Sequence, residues 1–234
     1  MDSNRKTAII TGVLFIVATV VSILSLPLMG PVNATNYLVD VSTNANQVAT
    51  AALLLIIGGA AAPGIAISLY PVLRKYNAGL ALGSVCFRVI EGVFYIAAPI
   101  GLLLLITLSQ EFVKAGAPDS SYFQTLGVLV VAGYRWVGNV GSLLAFSIGC
   151  LLYYYIFYQT KLVPRWLSGW GLVGSILTML SAVLTMFGFF EPMSTGQIVL
   201  NLPILPQEMV LAIWLIVKGF NPSAIASSLL KWDS

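Results

Sequence analysis

Apolar residues in this chain come in long blocks rather than in alternation or along a single stripe. The first block runs from Thr7 to Met29, behind a short basic start at Arg5 and Lys6. A helix needs ~20 apolar residues to cross a bilayer. The core of a cleaved signal peptide is only ~7–15 residues long, so this block reads as a retained span. Comparable blocks cover about 47–71, 79–108, 123–158, 166–190 and 197–218. Lipid offers no partner to backbone polar groups, which makes helices of this length the natural reading. The pattern predicts an all-α polytopic membrane protein: one domain, residues 1–234, of six transmembrane helices.

The interruptions carry as much information as the blocks. Gly30 to Asn46, rich in Asn, Thr and Ser, reads as a polar loop. The fourth block, at ~36 residues, exceeds the hydrocarbon thickness and must tilt or project. The run Gly58-Gly59-Ala60-Ala61-Ala62-Pro63-Gly64 predicts a kink in the second span. Pro203 and Pro206 predict that the regular part of the last span begins near Pro206. Glu208 would then stand in a first helical turn, where free N–H groups and the helix dipole favour a carboxylate. Breaks at Pro63 and Pro206 would let the bundle open. The polar markers of the two halves do not correspond, so no inverted repeat is read.

Composition sharpens the class. The chain is 59% apolar and 8% charged, against about 25% charged in soluble domains, and its mean hydropathy is +0.95. With the N-terminus inside, Arg5, Lys6, Arg74, Lys75, Lys161, Arg165, Lys218 and Lys231 fall on one side and only Lys114 on the other. Asp40, Glu111, Asp119 and Glu191 fall opposite the basic side, against Asp2 and Asp233 on it. Lys/Arg-rich ends stay cytoplasmic, which predicts cytoplasmic termini and a multi-pass protein of the inner (plasma) membrane.

Histidine is absent. That removes bis-histidine haem ligation, the common zinc hydrolase sites and histidine proton relays. No cofactor and no nucleic-acid partner is expected. Cys86 and Cys150 read as two buried small residues rather than a disulfide. Asn33-Ala34-Thr35 matches a glycosylation sequon, a short and unspecific pattern.

Four charged residues lie inside the apolar blocks: Arg88, Glu91, Arg135 and Glu208. Each costs about 2.5–3.5 kcal/mol at a bilayer centre. Ser84, Arg88, Glu91 and Tyr95 recur at helical spacing and share a face, as do Arg135, Asn139 and Ser142. The expected network joins Arg88 to Glu91 and Glu208, with Arg135 and Asn139 at the external entrance. The candidate ligand-binding residues are therefore Arg88, Glu91, Glu208, Arg135, Asn139 and Tyr95. Gly141, Ala145 and Gly149 form a small-residue stripe that admits a close helix, within one chain or between two copies of a homo-oligomer.

Three readings of function stand. The charges line a site that binds or transports a small amphiphilic or anionic molecule, such as a lipid. Alternatively they only fix the fold of a scaffold that meets protein partners in the bilayer. In a third reading Glu91 or Glu208 serves an intramembrane enzyme acting on lipid. Catalysis is the weakest of these, since no histidine activates a serine and the lysines sit at helix ends.

Several segments resemble a known family. They are Leu69-Tyr70-Pro71-Val72-Leu73, Phe87-Arg88-Val89-Ile90-Glu91-Gly92, Lys161 to Ser168 followed by Trp170-Gly171, and Glu208 with Trp214 to Phe220. In order and over nearly the whole chain they are similar to the bacterial membrane family called domain of unknown function 4386. The resemblance implies a six-helix inner-membrane protein of about this length. It implies no activity.

Overall fold

A computed structural model describes residues 2–118 and 122–230, with side chains as far as residue 226. Asp119, Lys231 and Asp233, used above to orient the chain, lie outside the described residues. Every regular element described is helical. The helices are α1 (Ser3–Leu28), α2 (Tyr37–Thr43), α3 (Ala45–Leu73), α4 (Ala78–Lys114), α5 (Tyr122–Trp136), α6 (Leu143–Thr160), α7 (Arg165–Met186), α8 (Thr195–Asn201), α9 (Ile204–Val217) and α10 (Pro222–Leu230). A 3-10 turn, Gly30–Asn33, follows α1, and a π-helical segment, Val137–Ser142, joins α5 to α6.

Six stretches are long and apolar enough to cross a membrane: α1, α3, α4, α5 with α6, α7, and α8 with α9. Each packs on its neighbours along the chain, and α9 returns to α1, so the six close into a ring. Large apolar side chains such as Ile10, Leu53, Val93, Leu104, Val173 and Ile213 point outward and exposed. In water that surface would be untenable; in lipid it is the solvated face.

Two apolar clusters hold the ring together. One, towards the basic end, contains Phe15, Ile65, Leu69, Tyr153, Tyr154, Phe157 and Leu211. The other contains Met29, Val32, Leu38, Val41, Leu105, Phe112 and Phe123. The second cluster corrects the reading of Gly30–Asn46 as a loop. Leu38 and Val41 are buried on α2, which packs across the end of α4. Their two apolar side chains sit three apart and so share a helix face. The same contacts extend α4 six residues past its expected end at 108. Phe112 stacks edge-on against Phe123 and Glu111 pairs with Lys114 at 2.7 Å.

Other boundaries moved for local reasons. α7 stops at Met186 rather than 190, because Gly188 turns left-handed at φ +77° and the Phe189 amide reaches back to the Leu184 carbonyl. The last span breaks at Leu202-Pro203, not at Pro206. Pro206 falls in the first turn of α9, where a missing N–H costs little. Glu208 consequently lies in the second turn, not the first.

α3 does not break at Pro63; it is helical from Ala45 to Leu73. Pro63 cannot donate to the Gly59 carbonyl four residues earlier. That carbonyl lies against Gly92 of α4, where a Cβ would come within 2.9 Å of its oxygen and of Pro63 Cδ. Gly59, in the run read as a kink, lets α3 and α4 touch backbone to backbone at Gly92. Gly92→Val is therefore expected to force the helices apart and destabilise the bundle by about 1–3 kcal/mol, the usual cost of overpacking. Thermal unfolding in detergent checks it; an unchanged midpoint would remove the crossing from the account.

The basic end is tied together directly. Arg5 donates from Nη1 to the Leu215 carbonyl at 3.1 Å and from Nη2 to the Ile216 carbonyl at 2.5 Å. It thus satisfies the last carbonyls of α9, which a helix cannot satisfy itself. Gly219 follows in a left-handed conformation, φ +73°, and a Cβ there would meet Arg5 at 3.1 Å. Arg5→Ala should leave the fold intact and speed hydrogen exchange locally at Leu215–Lys218. Unchanged protection there would mean that water caps the helix as well as Arg5 does.

Candidate functional site

Between the two clusters the ring holds a partly open cavity of about 430 Å³. All six residues singled out in the sequence line it: Arg88, Glu91, Tyr95, Arg135, Asn139 and Glu208. Arg88, Glu91 and Tyr95 come from one face of α4, Arg135 from the end of α5, Asn139 from the π segment and Glu208 from α9. The long-range geometry thus converges on what helical spacing grouped locally.

The deep part centres on Arg88, 2% exposed. Its Nη1 stands 2.9 Å from Glu91 Oε2. The approach is close, but it is not aligned as a hydrogen bond, since that oxygen has no hydrogen-bond partner. Arg88 Nε donates to the Ala62 carbonyl at 3.4 Å, and the guanidinium lies 5.1 Å from the centre of the Phe146 ring. Its Nη1 is 3.6 Å from Cys150 Sγ, which in turn is 3.1 Å from the Tyr153 hydroxyl. The arginine stem runs over Gly149, where a Cβ would meet its Cγ at 3.0 Å. The small-residue stripe therefore serves α4 of the same chain: Gly149 beneath Arg88 and Gly141 beneath Phe94. Of the two cysteines only Cys150 is buried; Cys86 is exposed on the outer face of α4, against the expectation for it.

Glu208 faces the same cavity and feels the charges of Arg88 and Glu91, but it makes no direct ion pair with Arg88. No cation among the described residues stands within ion-pair distance of it. Its Oε1 is buried and has no hydrogen-bond partner. The sequence placed Glu208 beside Arg88 because only the span was known; the actual turn of α9 and its start at Ile204 set the distance. Five buried side-chain oxygens lack a hydrogen-bond partner among the described residues, and three of them, on Glu91, Thr178 and Glu208, belong to residues lining this cavity. Native proteins leave few such groups unpaired.

The other end of the cavity is polar and tied down. Arg135 Nη2 donates to Asn33 Oδ1 at 3.0 Å. Asn33 Nδ2 in turn donates to the Met29 carbonyl at 3.2 Å, so the nitrogen of the sequon is engaged in the fold. Asn139 Nδ2 donates to the Arg135 carbonyl, and the Asn139 carbonyl accepts from buried Gln197 at 3.2 Å. Tyr95 shares a 3.0 Å hydrogen bond with Ser22.

The π segment was not foreseen. Such segments occur mostly as single-turn bulges and often at functional sites. Gly138, Asn139, Gly141 and Ser142, all weak helix formers, were the available signal. Gln197, Asn33, Ser22 and Thr178 were also missed, because one polar residue in or beside an apolar block does not reveal which way it faces; Phe146 was missed because an aromatic residue in an apolar block carries no signal of a cation above it. Gln207, next to Glu208, turns the opposite way. It accepts from the Tyr154 hydroxyl at 2.6 Å and donates to the Leu167 carbonyl at 3.0 Å, binding α6, α7 and α9 together.

No group of three or more metal-ligating side chains is found among the described residues. The family model described as Domain of unknown function (DUF4386) matches residues 10–219. The chain belongs to that family. No curated protein and no solved structure matches it.

Proposed function

From a family that assigns no activity, we propose that this protein binds, or carries across the membrane, a small amphiphile held in the central cavity. The observation that carries the reading is the pair of oxygens on Thr178 and Glu208 that face this cavity with neither a hydrogen bond nor an ion pair among the described residues. A buried polar group left unmade costs about 1–3 kcal/mol, and more when charged. Carboxylate oxygens accept, so the ligand group that meets Glu208 is a donor, such as an amine or hydroxyl. Arg135, half-buried at the α2 end, keeps further N–H donors beyond the one given to Asn33 and suits an anionic or acceptor group. Apolar walls supplied by Phe15, Leu55, Ile65 and Leu143 suit the remainder. A plain anion fits less well, because Arg88 is already paired with Glu91.

The placement is part of the proposal. The basic residues Arg5, Lys6, Arg74, Lys75, Lys161, Arg165 and Lys218 flank the spans at one end, and Lys114 lies at the other. The inference is a bacterial inner-membrane protein with cytoplasmic termini. A cysteine at position 4 or 118, labelled by an impermeant thiol reagent only after permeabilisation for the first and before it for the second, tests that orientation.

One observation favours a second reading, a scaffold whose charges are structural. Arg88 has Glu91, the Ala62 carbonyl and Phe146 around it and needs no ligand. Native mass spectrometry of protein released from mild detergent separates the two. A discrete adduct on the wild type, lost in Glu208→Gln, supports the binding site. Bare protein in both, across several detergents, supports the scaffold.

A further inference from the structure

A second pocket opens at the basic end, away from the central cavity. It has a volume of about 550 Å³ and is walled by the α6–α7 connection and the segment from Trp214 to Pro222. Three cations line it: Lys161 just past α6, Arg165 at the start of α7 and, from the far end of the chain, Lys218 just past α9. No acidic residue is among its lining residues. All three cations are exposed, so none is consumed by the core. Arg165 is held in place, with its guanidinium 5.4 Å from the centre of the Tyr158 ring and Nε donating to the Tyr158 carbonyl at 3.4 Å. Lys161 stands in a left-handed backbone conformation, φ 56°.

The walls are fastened to each other. The Asn221 amide donates to the Leu162 carbonyl at 2.9 Å, and Asn221 Nδ2 donates to the Lys161 carbonyl at 3.3 Å. α7 opens with no side-chain cap, and the Leu167 and Ser168 amides bond the Pro164 carbonyl, which leaves the N–H groups of Arg165 and Trp166 and the positive end of the dipole to an anion. Beside the cations lie Trp214, half-buried, and Phe220. The pocket sits where three membrane-crossing stretches, ending at Thr160, beginning at Arg165 and ending at Val217, reach their limits. That is headgroup depth. Like charges gathered with no counter-ion among the described residues repel one another unless an anion joins them.

We propose that this pocket is a headgroup site for an anionic phospholipid, with the phosphate held by Lys161, Arg165 and Lys218 and the glycerol and upper acyl region against Trp214. Juxtamembrane basic residues contribute about 1 kcal/mol each to anionic lipid binding, or about fivefold in affinity per cation removed. The site is independent of the central cavity and stands or falls separately.

The test uses the full chain in phosphatidylcholine nanodiscs, with and without phosphatidylglycerol or cardiolipin, read by thermal unfolding. Anionic lipid should raise the wild-type midpoint by several degrees. The variant Lys161→Gln/Arg165→Gln/Lys218→Gln should lose that rise, and Lys161→Gln or Lys218→Gln alone should lose part of it, which covers failure of the triple variant to fold. Arg74→Gln/Lys75→Gln, at the same end but outside the pocket, should keep it. No rise in the wild type overturns the site. Equal loss in the Arg74/Lys75 variant overturns the pocket in favour of general surface attraction. The same rise with inorganic phosphate in plain phosphatidylcholine retains a phosphate site and overturns lipid as its source.

Discussion

A Glu208→Gln variant folds as the wild type does and loses its ligand. The substitution keeps the shape of the side chain and removes its charge. Among the described residues Glu208 Oε1 makes no hydrogen bond and no cation pairs with the carboxylate, so little structural is forfeited. A buried carboxylate with no cation in direct contact is costly; the amide should leave stability unchanged or slightly raised. A hydrogen bond to a charged acceptor contributes about 1.5–3 kcal/mol, so ligand affinity should fall about ten- to hundred-fold. Thermal unfolding gives the first readout and the co-purifying adduct in native mass spectrometry the second. Collapse of the variant would make Glu208 structural. Equal adduct occupancy in wild type and variant would move the site elsewhere in the cavity.

Arg88→Met has the opposite profile. Removing the guanidinium strands Glu91, which is 6% exposed. Breaking a buried pair from one side costs about 3–5 kcal/mol, largely through the charge left behind. The double variant Arg88→Met/Glu91→Gln should recover most of that loss, since an apolar or neutral replacement of a whole buried pair is often close to neutral. The cycle belongs on Arg88 and Glu91. A cycle on Arg88 and Glu208, natural from sequence alone, should show much weaker coupling, because the two are not in ion-pair contact. Strong coupling to Glu208 with additive behaviour at Glu91 would sink the assignment. The result also separates the roles: Arg88 and Glu91 hold helices α4, α3 and α6 in register, while Glu208 is left for a ligand.

The small residues around this pair are part of the same device. Gly149 gives the Arg88 stem its path, and Gly92 gives the Gly59 carbonyl its place. Both admit contacts that any larger residue would block. A membrane interior lacks a hydrophobic force between helices, so such close approach and polar contact supply the specificity instead.

Membrane residence, the number of spans and the residues facing the cavity were legible in the chain for one physical reason. In lipid the backbone must satisfy itself, so a block of ~20 apolar residues has essentially one conformation open to it. Within that helix, periodicity alone puts Arg88, Glu91 and Tyr95 on one face. The high cost of intramembrane charge then directs that face inward, where Arg135, Asn139 and Glu208 also had to go. Those properties are local and need no knowledge of neighbours.

What tertiary structure alone decided is everything that depends on distance between helices. It held Glu208 out of ion-pair reach of Arg88, and aimed Gln207 at Tyr154 and Leu167 while the adjacent Glu208 faced the cavity. It made α2 from a polar stretch because α4 was long enough to receive Leu38 and Val41. It kept α3 whole through Pro63, because the carbonyl freed by proline lies against Gly92 rather than open lipid. Helix rotation, crossing depth and the start of a broken span depend on contacts between residues far apart in the chain. A periodic pattern fixes which residues share a face, and packing fixes what that face meets.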